Sequence, residues 1–278
     1  MKLLLLSALG FIIVYTLFLF FYQRKMIYYP QPYEPTYRMG FLPRMVELQF
    51  STSAGKQTAF YVPPRADPEA APRRLWVLFH GNASMALDWL GLLDHNPDPH
   101  AGFLLMDYPG YGQCAGRPTR PSIAEASEAG FAALAAHLGV KPDALEADLN
   151  ILGYSLGAAV GLEFASRHPV RRIIIISPFT SMLEMARRTV GRPLNQLLLD
   201  RFDNQARLDE LAARSEPPRV FILHGAVDPL IPPAMGKQLA DSHPEITEFH
   251  SIGGADHGFI LDVAEPLLLK LLAPQTAE

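Results

Sequence analysis

The chain holds a single cysteine, Cys114, which rules out a disulfide within it and every metal site built on clustered cysteines. It also lacks an excess of positive charge. Its 24 Lys and Arg against 28 Asp and Glu leave a net charge of -4, so nothing marks a surface for the phosphate backbone of nucleic acid. Charged residues make up 19% and hydrophobic residues 49%, too little charge and too much apolar surface for a chain held disordered. Internal repeats and low-complexity tracts are missing as well. One principal globular domain with a large core is the expectation.

A charge-free stretch opens the chain: Leu3 to Tyr22, LLLLSALGFIIVYTLFLFFY, 20 residues. As a helix it would extend about 30 Å, the thickness of a bilayer's hydrocarbon core. A cleaved signal peptide is the competing reading, but the run exceeds the usual apolar region of about 7–15 residues, and no small-x-small site precedes Gln23-Arg24-Lys25. A buried core helix fits less well, because a helix apolar all round has no face for water. Residues 1–22 are therefore expected to be an uncleaved, single-pass membrane anchor. Lys2 precedes the run while Arg24, Lys25, Arg38 and Arg44 follow it, a charge bias that leans toward a cytoplasmic position for what comes after. Residues 23–45, with four prolines and four tyrosines, read as a juxtamembrane linker that makes the first docking contacts.

Beyond residue 45, short apolar runs bounded by turn residues alternate with helix-like stretches. Strands are expected at Val46–Phe50, Thr58–Val62, Leu75–His80, Gly102–Asp107, Leu149–Gly153, Arg172–Ser177, Arg219–His224 and Thr247–Ile252. The later runs, LWVLF, FLLM, IIII and VFIL, are continuously apolar, as parallel strands buried on both faces require. Between them Ser122–Leu138 shows apolar positions at helical spacing and Leu156–Ser166 is rich in alanine. Strand and helix alternating in this way imply an α/β domain over residues 46–274, with a mostly parallel sheet flanked by helices. Residues 182–214 interrupt the alternation with helical character. They are expected to form a short cap over the carboxyl edge of the sheet.

GYSLG, Gly153 to Gly157, has the GxSxG pattern, and here it sits between an expected strand and an expected helix. That turn would lift the hydroxyl of Ser155 above the sheet. A serine hydroxyl is a poor nucleophile at neutral pH, so catalysis demands a histidine base and a carboxylate to orient it. Asp228, in HGAVDPLIP, follows the strand VFILH, and His257, in GGADHGF, lies in a glycine-rich loop after the last strand. Asp256 competes as the acid, although adjacent side chains seldom meet usefully. His168, His224, His243 and His250 have structural explanations at helix or strand ends, and His80 ends an early strand where bracing a loop accounts for it. Oxyanion donors are expected from the backbone N–H of Leu156 and, in the loop FHGNAS, from that of Asn82.

The joint order of HGNAS, DYPGYGQCAGRPT, GYSLG, SPFTSM, HGAVDPLIPP and GADHGF resembles the α/β-hydrolase superfamily over about residues 24–272. The likeness is greatest to its branch with the fungal BEM46 proteins and the mammalian alpha/beta hydrolase domain-containing proteins 12, 13 and 17, the PLIPP stretch being nearest to the pattern of protein 13. The resemblance implies an eight-stranded sheet, Ser155 as nucleophile, Asp228 as acid, His257 as base, the Asn82 and Leu156 amides as oxyanion hole, and no metal or organic cofactor. It gives Asp107 and the glycines of DYPGYG a structural turn at the pocket rim. Proteins near 17 act on S-acylated proteins as thioesterases and those near 12 on lysophospholipids, and no motif chooses between them. The implied activity is hydrolysis of carboxylic ester or thioester bonds of acyl or lipid-like substrates, small molecules or acylated proteins. Met182, Met185, Val190, Leu194, Leu197, Leu198 and Leu199 of the cap either line an acyl groove or pack on the sheet. A peptidase of the prolyl-oligopeptidase type and a non-catalytic binding protein on the same fold are the alternatives.

Overall fold

The structure, a computed structural model, describes residues 1–274. Its strands are β1 (Val46–Thr52), β2 (Gly55–Val62), β3 (Arg74–Phe79), β4 (Ala101–Met106), β5 (Leu149–Tyr154), β6 (Arg172–Ile176), β7 (Arg219–Gly225) and β8 (Thr247–Ile252). They form one eight-stranded sheet in the order β1-β2-β4-β3-β5-β6-β7-β8. β2 runs antiparallel to β1 and β4, and the remaining pairs are parallel. The apolar runs account for this order: every residue from Leu75 to Phe79 and from Ile173 to Ile176 is buried, so these strands need neighbours on both edges and cover on both faces. β8, half exposed along its length, closes one edge.

Nine helices are described: α1 (Lys2–Ile27), α2 (Leu90–Asp94), α3 (Arg120–His137), α4 (Pro142–Leu145), α5 (Leu156–Ala165), α6 (Met182–Val190), α7 (Asn204–Ala212), α8 (Pro233–Ser242) and α9 (Ile260–Leu272). Phe131, Leu162, Phe164, Leu208 and Leu239 pack one face of the sheet. Trp89, Leu93, Ile260 and Leu268 pack the other. Helices on both faces of this sheet make the α/β-hydrolase fold that the sequence implies. Side chains fix where the helices begin: Thr119, Ser181 and Asp203 accept from the N–H groups of Ser122, Glu184 and Ala206 at the starts of α3, α6 and α7.

Two elements differ from the sequence expectation. α1 does not end at Tyr22 but continues through Ile27, and two of the three polar residues after the apolar run, Gln23 and Arg24, find partners on the domain. Of the stretch expected to cover the sheet, α6 and the 3₁₀ turn Leu194–Leu197 do so, whereas α7 buries Leu208 and Leu211 in the core between α5 and α8. Helical periodicity alone does not say which helix packs and which covers. α1 is long and apolar enough, over Leu4–Ile27, to cross a membrane, and most of its apolar side chains are exposed. After it, Tyr28 and Tyr33 are buried in the two cores, so the segment following the helix docks onto the domain.

Candidate active site

Ser155 stands between β5 and α5 with φ 55° and ψ -114°, a backbone conformation that costs an L-residue about 1–3 kcal/mol and that surrounding structure must enforce. The enforcement is visible. The Ser155 N–H donates to Ile176 O at 2.8 Å, and its carbonyl accepts from Ala158 N at 3.0 Å. Helix α5 lies so close to β3 that a Cβ on Gly157 would collide with the carbonyl oxygens of Phe79 and His80, and one on Gly153 would strike the backbone of Gly157. Both glycines of GYSLG are therefore required by backbone approach.

Loops at the carboxyl ends of β7 and β8 deliver the partners. His257 Nε2 lies 3.0 Å from Ser155 Oγ, and His257 Nδ1 lies 2.7 Å from Asp228 Oδ2. With Nδ1–H donated to the carboxylate, Nε2 is left to accept the serine proton. The other oxygen of Asp228 accepts the N–H groups of Leu230 and Ile231, each at 2.9 Å. Burial alone would raise the Asp228 carboxyl, but the His224 and His257 imidazoles and the Ile231 N–H outweigh it and hold the group well below the usual carboxylate range. Asp256, the competing acid, is engaged elsewhere: it accepts the Gly258 and Phe259 N–H groups at the approach to α9.

The other candidate histidines have other partners. His168 bridges Glu146 and Glu128, His243 meets Asp209, and His250 lies 3.0 Å from Glu248. His80 is buried, bonds Gly81 O at 2.7 Å and stacks on Tyr108. His224 does more than close a strand. Its Nε2 donates to Ile231 O at 2.8 Å and sits 3.6 Å from Asp228 Oδ2, so it braces the loop that presents Asp228.

Asn82 and Leu156 flank Ser155 at the head of a cleft of about 280 Å³. Among the described residues, neither backbone N–H has a hydrogen-bond partner, which leaves both free for a developing oxyanion. The cleft runs between α1 and the cap. Met182, Met185, Val190, Leu194, Leu197 and Leu198 line it, while Leu199 does not and is about half exposed.

Three features of this site have no local sequence signal. The Asn82 side chain ties the loop to the end of α1: Nδ2 donates to Ile27 O at 2.6 Å, and Oδ1 accepts from Tyr29 N at 2.9 Å and Tyr111 Oη at 2.8 Å. Tyr154 Oη donates to the His257 carbonyl. Gln23 donates to Leu197 O at 3.1 Å and accepts from Leu199 N at 2.7 Å, and Arg24 pairs at 3.0 Å with the buried Asp200. Only the polar break Gln23-Arg24-Lys25 hints at this docking.

Comparison with known proteins agrees with the architecture. A family model described as alpha/beta hydrolase fold matches residues 76–211. An uncharacterized protein of Mycobacterium tuberculosis is 28% identical over 251 residues, covering 87% of this chain and 82% of that protein. Human alpha/beta hydrolase domain-containing protein 17B is 28% identical over 182 residues, 64% of this chain, which spans 58% of the human protein's length. Among solved structures, an esterase of Pyrococcus furiosus superposes with a TM-score of 0.64 at 14% identity, covering 88% of this chain and 95% of its own. An alpha-beta serine hydrolase homologue from Coxiella burnetii superposes at 0.58 with 16% identity, covering 82% and 97%. At such identities the two structures speak for the fold.

Proposed function

We propose that this chain, which has the α/β-hydrolase fold, is a membrane-anchored serine hydrolase that cleaves carboxylic ester or thioester bonds of acyl or lipid-like substrates. The observation that carries the reading is the continuous relay Ser155 Oγ to His257 to Asp228 at the head of an apolar cleft. His257 Nε2 takes the Ser155 proton as Oγ attacks the acyl carbonyl carbon. The Asn82 and Leu156 N–H groups hold the resulting oxyanion, and Asp228 stabilises the imidazolium. Collapse of the intermediate expels the alcohol or thiol, which leaves with the proton from Nε2. Water, deprotonated by the same nitrogen, then attacks the acyl-serine and releases the carboxylic acid.

Anchoring by α1 is part of the proposal, supported by the length and apolarity of Leu4–Ile27. Placement in the branch with alpha/beta hydrolase domain-containing proteins 12, 13 and 17 is also part of it, supported by the partial match to protein 17B. A fluorophosphonate probe tests the chemistry: it is expected to label the wild-type chain and not Ser155→Ala. Equal labelling of both, or no labelling of the wild type, would overturn the assignment.

A further inference from the structure

The membrane helix and the catalytic cleft share side chains. Thr16, Leu19, Gln23 and Ile27 recur at the spacing of one helical face, and among the described side chains of α1 they are the positions withdrawn from solvent. Leu19 is 7% exposed, whereas Leu17, Phe18 and Phe21 around it stand about half exposed or more. This face forms one wall of the cleft: Leu19, Gln23, Met26 and Ile27 line it together with Ser155. Across the gap stand the cap residues Met182, Met185 and Leu198.

The wall offers carbon to whatever enters. The Gln23 amide is used up by Phe20 O, Leu197 O and Leu199 N, and the Asn82 amide by Ile27 O, Tyr29 N and Tyr111 Oη. Asn195 turns its nitrogen to Leu183 O, and its Oδ1 is sealed from the cleft. The helix itself is fixed against the site at two levels, by Gln23 and Arg24 to the cap and by Ile27 and Tyr29 to the loop carrying Asn82. From Leu4 to Tyr15, α1 exposes apolar side chains on every side, as a bilayer would require.

We propose that the C-terminal half of α1 is the acyl-selecting wall of the active site, and that the occupant is the acyl chain of a bilayer-resident ester entering along this helix. The proposal rests on the serine-hydrolase reading above and names the substrate of that same site. The chain lies between Leu19 and Met26 on one side and Met182, Met185 and Leu198 on the other, with its ester carbonyl at Ser155. A continuous apolar path from the bilayer to Ser155 then exists along α1. Each methylene buried there favours binding by roughly fourfold, so selectivity for chain length resides partly in the anchor.

The full-length chain in phospholipid nanodiscs tests this. The readout is the ratio of kcat/KM for 4-nitrophenyl dodecanoate to that for 4-nitrophenyl acetate. Leu19→Trp and Met26→Trp, which narrow the cleft at a buried and a half-exposed position, are each expected to lower the ratio at least tenfold. Phe21→Ala, on the exposed side of α1, leaves it within twofold. Both tryptophan variants keeping the wild-type ratio, or Phe21→Ala shifting it equally, would overturn the wall. A lysophospholipid embedded in the nanodisc is expected to be hydrolysed, and turnover of a soluble S-acyl peptide alone would overturn the bilayer source. Fluorophosphonate labelling run alongside separates the two levels: a labelled chain with an unchanged ratio defeats only this proposal, whereas an unlabelled wild type defeats the serine reading and this proposal with it.

Discussion

Asp228 takes part in two networks at once, and that decides how its replacement reads. One oxygen orients His257 and the other holds the Leu230 and Ile231 N–H groups. Asp228→Asn preserves the volume but presents a donor toward Nδ1, favouring the wrong imidazole tautomer; kcat is expected to fall by about 10⁴ with fluorophosphonate labelling slowed in parallel. The carboxyl is held below the usual range, so its ionised form supports the fold above the unfolded carboxyl value of about 3.9 and that support is lost as pH falls below it. Urea unfolding of wild type and Asp228→Asn should therefore differ at pH 7, and the difference should begin to narrow as pH falls below about 3.9; a difference that persists unchanged at pH 2.5 would contradict the charge argument. Ser155, Asp228 and His257 were legible because each lies in a short turn or loop just after a strand, where chain order and turn residues are local signals. Asn82 was legible only as a backbone N–H. Its side-chain role depends on Ile27, Tyr29 and Tyr111, and no local pattern announces partners brought together by folding.

Among elements, the strands were the easiest to read, since continuous burial leaves an unbroken apolar run such as Ile173–Ile176. The helices between 182 and 214 were harder. α6 and α7 share helical periodicity, but Leu208 and Leu211 of α7 are fully buried, while α6 buries no side chain completely and lines the cleft. The junction of cap, α1 and α3 converges on Asp200, whose Oδ2 pairs with Arg24 and whose Oδ1 accepts the Arg120 N–H at 3.0 Å. Arg24 is 47% exposed, so screening makes the ion pair itself worth at most about 1 kcal/mol. The larger loss in Asp200→Ala comes from leaving the Arg120 N–H without its acceptor, about 1–3 kcal/mol. A fall in Tm of about 2–10 °C is expected, together with faster proteolysis at the α1 to domain junction. A Tm within 1 °C of wild type would mean that the junction is held by apolar packing alone.

At the scale of the whole molecule, the fold buries ionisable groups outside the relay, and a pair of them shapes how stability follows pH. Asp107, which accepts the Ala86 N–H at 2.9 Å, is raised by burial to about 7. His80, with Nε2 3.6 Å from Asp107 Oδ1, is pushed down by burial to about 4. Taken singly, the raised carboxyl makes stability fall as pH rises from about 4 to about 7, because the folded chain keeps a proton that the unfolded chain has released. The lowered imidazole does the reverse, making stability fall as pH drops from about 6.5 to about 4, because the unfolded chain takes up a proton that the folded chain refuses. Between about pH 4 and 6.5 the two slopes cancel: folded and unfolded chains each carry one proton on the pair, on whichever partner it resides. Asp107→Asn removes one slope and exposes the other. The variant's unfolding free energy should climb with pH from 4.5 to 6.5 by up to about 1.4 kcal/mol per pH unit more than that of the wild type, and flatten above pH 7. Denaturant titrations at half-unit pH steps check this, and a variant whose profile stays parallel to the wild type across that window would show that the buried pair does not carry the compensation.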